Sequence, residues 1–313
     1  NMSTLLSGKE TAAALTEKTK AAAEELHAKG KAPTLLIIRV GEKKSDISYE
    51  KGVRKRAQEA GIDVRVTALP DGTSAGSSED GTGCGKPSDG NGQASAGSCK
   101  DATPCTEDDL AAVIRGANAD ASVSGILLFL PLPKSIDEKK IINLIAPEKD
   151  MDGATDASML AIYKGAGEGY APCTAQAVLE ILDFYNIDVT GKNIVVVGRS
   201  PVVGKPLALM LIKRNATVTI CHTRTVNLPE ITRRADIIIS AAGHPRTITA
   251  EHVREGQIVI DVGINFGPDG KMTGDAAFDE VSPIVSAITP VPGGVGSVTN
   301  AVLLSHIITA ADR

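Results

Sequence analysis

The chain has 313 residues, 42% of them apolar and 23% charged, with a net charge of −5. This length fits two domains of ordinary size, and the mild acidity argues against a nucleic-acid or membrane-surface protein, which would need a basic face. No apolar run approaches the roughly 20 residues that span a bilayer, and NMSTLLSGKE lacks the charged start and apolar stretch of a signal peptide. Aromatics make up 3% and Trp is absent, so the core must be built from Val, Ile, Leu and Ala. The five Cys, an odd number, fit a reducing compartment, and a cytoplasmic location is expected.

Residues 9–29 read as an Ala-rich amphipathic helix with Leu15, Ala22 and Leu26 on its apolar positions. APTLLIIRVG (32–41) is a short apolar run ending in Gly, the pattern of a buried parallel strand. Residues 46–60 read as a helix closed by Gly61, and IDVRVTAL (62–69) alternates as a strand. Residues 71–104 contain eight Gly, six Ser and no Val, Ile, Leu, Met or aromatic residue, so a flexible insertion is expected there. Thr106, with Asp109 three residues on, caps a helix reaching about Asn118. SGILLFLPLP (124–133) is a buried strand, and IDEKKIINLIAP (136–147) a helix with a Pro stop.

A second unit opens after Asp152. Helix TAQAVLEILDFYN, capped by Thr174, is followed by strand NIVVVG, helix VGKPLALMLIKRN and strand TVTICH, with shorter strands in ADIIISAAG and QIVIDVGIN. Strands alternating with helices imply an α/β fold whose parallel sheet is wound on both faces.

NIVVVGRSPVVGKP carries the clearest ligand signal. An apolar strand runs into Gly198, which permits a tight turn. A helix opens near Gly204, which lets it pack closely and offers backbone N–H groups to a pyrophosphate. The spacing Gly-x-Ser-x-x-x-Gly departs from the common G-x-G-x-x-G, and a plain strand–turn–helix is the competing reading. NAD enzymes place an acid after the second strand, whereas here His222-Thr223-Arg224-Thr225 holds none. Arg199, Arg224 and Thr223 suit a 2′-phosphate, which favours NADP over NAD.

YAPCTAQAV, VVVGRSPVVGKP, CHTRT, IVIDVGIN and TPVPGGVGSVT occur in this order, preceded by VGEKKSDISYEKG, LPLP and PEKDMDG. Together they resemble the methylenetetrahydrofolate dehydrogenase/methenyltetrahydrofolate cyclohydrolase family over nearly the whole chain except 71–104. The resemblance implies an N-terminal α/β folate-side domain (1–150, with the insertion) and a Rossmann-type NADP-binding domain (151–290). It also implies a C-terminal helix (291–313) packed back on the N-terminal domain, a folate cleft between the domains, and a homodimer through the Rossmann domains. By matched position, Tyr49 packs on the aminobenzoyl ring and Asp152 holds the pterin. Phe129, Leu130 and Pro131, and the segment with Pro290, Gly293 and Gly294, line the folate site. Gly198, Arg199, Ser200, Gly204, Thr223, Arg224 and Ile264 are the expected cofactor contacts. The expected activity is oxidation of 5,10-methylenetetrahydrofolate with NADP.

Two positions depart from the family. Its bifunctional members carry a Lys four residues after the Tyr, one helical turn on. That position is Val53, and Lys51 and Lys55 lie about 200° around the helix. The family's Gln before LPLP is Phe129. Hydride transfer asks the protein mainly to hold donor and acceptor aligned. Hydrolysis of the methenyl product needs proton movement by a titratable group, so weak or absent cyclohydrolase activity is expected. Alternatives are the full bifunctional enzyme, a non-catalytic folate or nucleotide binder, another Rossmann oxidoreductase such as one acting on shikimate, and a scaffold working through the insertion. Cys84, Cys99 and Cys105 lack paired C-x-x-C spacing, so no metal is expected. Cys173 reads as structural or cofactor-adjacent, with no His placed to activate it.

Overall fold

The computed structural model describes residues 3–71, 103–267 and 269–313. In chain order these form β1 (Thr4–Leu5), α1 (Gly8–Ala28), β2 (Thr34–Val40), α2 (Lys44–Glu59), β3 (Asp63–Leu69), α3 (Glu107–Ala119), β4 (Gly125–Leu128) and α4 (Glu138–Ile142). Then follow α5 (Asp156–Lys164), α6 (Cys173–Phe184), β5 (Asn193–Val197), α7 (Gly204–Lys213), β6 (Thr217–Cys221), α8 (Leu228–Arg233) and β7 (Ile237–Ser240). The chain closes with β8 (Ile258–Asp261), β9 (Asn265–Phe266), β10 (Met272–Thr273), α9 (Phe278–Val281), β11 (Ala287–Ile288) and α10 (Thr299–Asp312). Most of the expected loop at 71–104, including Cys84 and Cys99, lies outside the described residues.

The chain divides into two compact units, one of residues 1–21 with 151–306 and one of 22–150 with 307–313. The unit of 22–150 carries a parallel three-stranded sheet in the order β3–β2–β4. β2 is central and buried along nearly its whole length, as its unbroken apolar run requires. One face packs Leu36, Ile38, Ile126 and Leu128 against Leu110 and Ile114 of α3. Thr106 and Asp109 make the expected capping box, with Asp109 N–H donating to Thr106 Oγ1 at 3.2 Å and Thr106 N–H to Asp109 Oδ2 at 2.9 Å. Cys105 N–H donates to the Pro70 carbonyl at 2.7 Å, so the chain leaves β3 and enters α3 at one point.

Two expected elements are shorter than their apolar runs suggest. The strand expected over 124–133 ends at Leu128, with one further ladder bond from Phe129 N–H to Ile38 O at 2.9 Å. Pro131 and Pro133 then have no N–H to extend it. The helix expected over 136–147 is only Glu138–Ile142. Asn118 takes over the backbone beyond it, donating to Leu144 O at 2.7 Å and accepting from Ala146 N–H at 3.0 Å.

The other unit holds a six-stranded sheet ordered β1–β11–β8–β7–β5–β6, with every pairing parallel. Val195, Val197, Ile238, Val259 and Ile288 from its strands build one buried core. The chain order reverses at β5, between β6 and β7, the position where such sheets open a ligand crevice. α6 starts at Cys173 with Pro172 as its cap, two residues earlier than a Thr174 cap would set it.

Candidate functional site

In the 22–150 unit, α2 carries Tyr49 and β4 leads into Phe129. Their rings lie 5.3 Å apart at 45°. Tyr49 is 45% exposed while Phe129 is 8% exposed, so the pair presents a half-open aromatic surface over a buried base. Leu130 and Pro131 continue from Phe129, and Lys43 donates to the Pro131 carbonyl at 3.4 Å. Val53 is 1% exposed and belongs to the core. The helix is fixed by a buried carboxylate beside the Tyr: Glu50 accepts from Arg39 Nε on β2 at 2.9 Å and from Arg54 at 3.4 Å. A buried pair of this kind fixes geometry more surely than it adds stability. Lys149 donates to the carbonyls of Ala117, Asn118 and Asp120 at 2.8–2.9 Å, closing the end of α3.

In the other unit, β5 runs into Gly198 at φ 135°, a conformation open to glycine. A Cβ at Gly198 would fall 2.2 Å from Ala241 O, and one at Gly204 would fall 2.1 Å from Gly198 O. The α7 entrance is therefore in direct backbone contact with the strand end, a close approach that only glycine permits. Ser200 Oγ accepts from Val203 N–H at 3.0 Å within that turn. Gly198 N–H donates to Cys221 O at 2.8 Å, which ties it to the 222–225 turn carrying the exposed Thr223 and Arg224. No carboxylate occurs in that turn. These residues fit a nicotinamide dinucleotide.

At the carboxyl ends of β8 and β11, a cavity of about 200 Å³ is lined by Asp261, Ile264, Pro290, Gly293 and Gly294 among others. Expected folate-lining and cofactor positions thus meet in one place. Asp261 is buried, and burial raises its carboxyl from an ordinary 3.8 to about 6, despite N–H bonds from Ala276, Asp275 and Gly263. Asp275 beside it accepts from Ala242 N–H at 2.7 Å, Gly243 N–H at 3.1 Å and Asn265 Nδ2 at 3.0 Å. The two carboxyls tie together the loops after β7 and β8. Sequence reasoning missed them, and the only signal was Asp at the end of the apolar run IVID.

Asp152 follows Met151, whose carbonyl accepts from Cys173 Sγ at 3.3 Å and His306 Nδ1 at 2.8 Å. His306 Nδ1 also lies 4.0 Å from Cys173 Sγ, so a His does stand near the thiol. Nδ1 carries the proton it donates to Met151 and cannot take one from the thiol, which keeps Cys173 structural. Among the described residues no group of three or more His, Cys, Asp or Glu could hold a metal.

A doubly wound parallel sheet with a glycine-shaped strand–helix turn defines a Rossmann-type dinucleotide-binding protein. The tetrahydrofolate dehydrogenase/cyclohydrolase catalytic domain matches residues 6–80 and 94–152, and that family's NAD(P)-binding domain matches 172–313. The chain is 43% identical over 313 residues to the bifunctional protein FolD of Carboxydothermus hydrogenoformans, covering 99% of this chain and 98% of that one. The solved bifunctional FolD of Campylobacter jejuni is similar at a TM-score of 0.86 and 37% identity, covering 99% and 98% of the two chains. The Trypanosoma brucei dehydrogenase-cyclohydrolase, solved with NADP and an inhibitor, is similar at 0.83 and 29%, covering 100% and 98%. The chain belongs to the tetrahydrofolate dehydrogenase/cyclohydrolase family.

Proposed function

We propose that the chain oxidises 5,10-methylenetetrahydrofolate to 5,10-methenyltetrahydrofolate with NADP, and hydrolyses the methenyl product weakly or not at all. Bound NADP supplies the hydride acceptor. Gly198 and Gly204 keep the backbone open to the pyrophosphate, Ser200 shapes the turn, and Arg199, Thr223 and Arg224 meet the 2′-phosphate. Ile264 borders the cavity where Pro290, Gly293 and Gly294 line the folate side. Tyr49 packs on the aminobenzoyl ring beside Phe129, Leu130 and Pro131, and Asp152 hydrogen-bonds the pterin. Loss of hydride is driven by the folate nitrogen lone pair, so these residues act by alignment and no protein base is required.

Hydrolysis asks for more. Water must be activated and protons moved, and a positioned acid–base group typically contributes about 100- to 10,000-fold. The observation that carries this part of the reading is the apolar character of two positions, Val53 one helical turn on from Tyr49 and Phe129 against its ring. Val53 is 1% exposed and Phe129 lies tilted against the Tyr ring at 45°, and neither side chain carries a group that can move a proton. The NADP complex of the Trypanosoma brucei relative supports the cofactor assignment.

A homodimer is proposed through β6, which ends the six-stranded sheet and exposes Ile220 on an unpaired edge. Cys105, Cys173 and Cys221 are buried free thiols, which supports a reducing compartment such as the cytoplasm.

The reading is tested by mixing purified protein with methylenetetrahydrofolate and either NADP or NAD and following reduced nicotinamide. Turnover that favours NADP is expected. No reduction of either nucleotide would leave a non-catalytic binder, and preference for NAD would overturn the roles of Arg199 and Arg224.

A further inference from the structure

The turn after β6 is braced by three hydrogen bonds. Thr225 N–H donates to His222 O at 2.8 Å, and His222 N–H donates to Thr225 Oγ1 at 2.8 Å. The third bond is less usual: Arg224 N–H donates to the ring nitrogen Nδ1 of His222 at 3.1 Å. A nitrogen that accepts carries no proton, so the imidazole is neutral with its proton on Nε2. A side-chain acceptor bonded to the N–H two residues on is the geometry of an Asx turn, with imidazole nitrogen in the place of an Asn or Asp oxygen.

The bond has a direct structural consequence. His222 is half-buried at the strand end, while Thr223 and Arg224 are exposed at the tip of the turn. Arg224 has no ion-pair partner among the contacts that define the turn, and its backbone is held through its own N–H. An Asp at position 222 would give the same Asx geometry but would put a negative charge beside a bound phosphate. A neutral imidazole gives the acceptor without the charge.

We propose that His222 is a positioning residue for NADP selectivity: its Nδ1 fixes the backbone from which Thr223 and Arg224 reach the cofactor's 2′-phosphate. This rests on the assignment of the 2′-phosphate to that turn. NAD lacks the phosphate, so its affinity does not depend on where the turn holds Arg224. A general loss of folding, by contrast, weakens both nucleotides.

Dissociation constants of NADP and NAD, measured by calorimetry on the full chain, separate these cases for His222→Leu, His222→Asn and Arg224→Ala. Removing one hydrogen bond that fixes a charged contact is expected to weaken NADP about tenfold in His222→Leu and to leave NAD within about twofold. His222→Asn, whose Oδ1 restores the acceptor, is expected to bind NADP within about threefold of the unsubstituted chain. Equal loss of both nucleotides in His222→Leu, unchanged NADP affinity in it, or failure of His222→Asn to rescue would each overturn the proposal. Arg224→Ala reports on the underlying assignment: if it leaves NADP affinity unchanged, the phosphate does not bind at this turn, and both the assignment and the proposal fall.

Discussion

A lysine at position 53 would start from a site that is 1% exposed, as buried as Ala57 one turn further along α2. Burying its stem and ammonium there costs about 3 kcal/mol or more, or forces α2 away from the sheet it covers. Val53→Lys is therefore expected to lower the thermal midpoint without restoring hydrolysis. A variant that melts like the parent and hydrolyses methenyl-folate would show that a residue at 53 reaches the Tyr49 surface after all.

Asp261 gives a pH dependence of definite sign. Its folded carboxyl titrates at about 6 against an ordinary 3.8, so folding favours the protonated form. The stability it adds is fully present below about pH 4 and is lost as pH rises through about 6, at most about 3 kcal/mol in all. Asp261→Asn is always neutral. Its stability cost, read from urea midpoints, is expected to be larger at about pH 4.5 than at about pH 7.5. A cost that is constant or grows with pH would contradict the raised carboxyl. The contrast with Tyr49 shows what the sequence makes legible at this scale. Tyr49 and Phe129 could be matched to positions in a motif. The partnership of Asp261 with Asp275 depends on two loops meeting across 14 residues, with Asp275 N–H donating to Asp261 Oδ1 at 3.0 Å. No spacing rule announces such a meeting.

At the scale of elements, the strand–turn–helix from β5 to α7 does the most for function. Gly204 is there because its helix starts against the Gly198 carbonyl. Gly204→Ala would place a Cβ 2.1 Å from that oxygen, so the turn must move. Nucleotide affinity is expected to fall by about tenfold or more by calorimetry, because the backbone that shifts is the one proposed to hold the pyrophosphate. Unchanged NADP affinity would place the pyrophosphate elsewhere. The long apolar strands and amphipathic helices were legible because each repeats one period over many residues. β1, β11, β9 and β10, of two residues each, carry no period to read. α5 also went unread: its burial is patchy, and its start and end are set by Thr155 accepting from Ser158 N–H and by Gly165 in the left-handed region. The strand before LPLP was overestimated because apolar residues continue past the point where proline ends the ladder.

At the scale of the molecule, the two ends of the Gly- and Ser-rich stretch meet, with Cys105 N–H 2.7 Å from Pro70 O. The family's catalytic domain matches on both sides of 81–93 without spanning it. Replacing 72–102 by a short Gly-Ser turn is expected to leave the unfolding midpoint and NADPH formation close to those of the full chain, since loop length alone has a small entropic effect. Loss of activity with folding intact would make the stretch part of the folate site.

The most direct measurement follows one reaction at two wavelengths, with methylenetetrahydrofolate and NADP supplied to the purified chain. One wavelength reports NADPH and the other methenyl-folate. The account predicts that NADPH forms while methenyl-folate accumulates and then decays at the rate seen in buffer alone. Methenyl-folate consumed much faster than in buffer would contradict it: hydrolysis would then proceed with Val53 and Phe129 in place, through a proton-moving group other than the one this family places beside its Tyr.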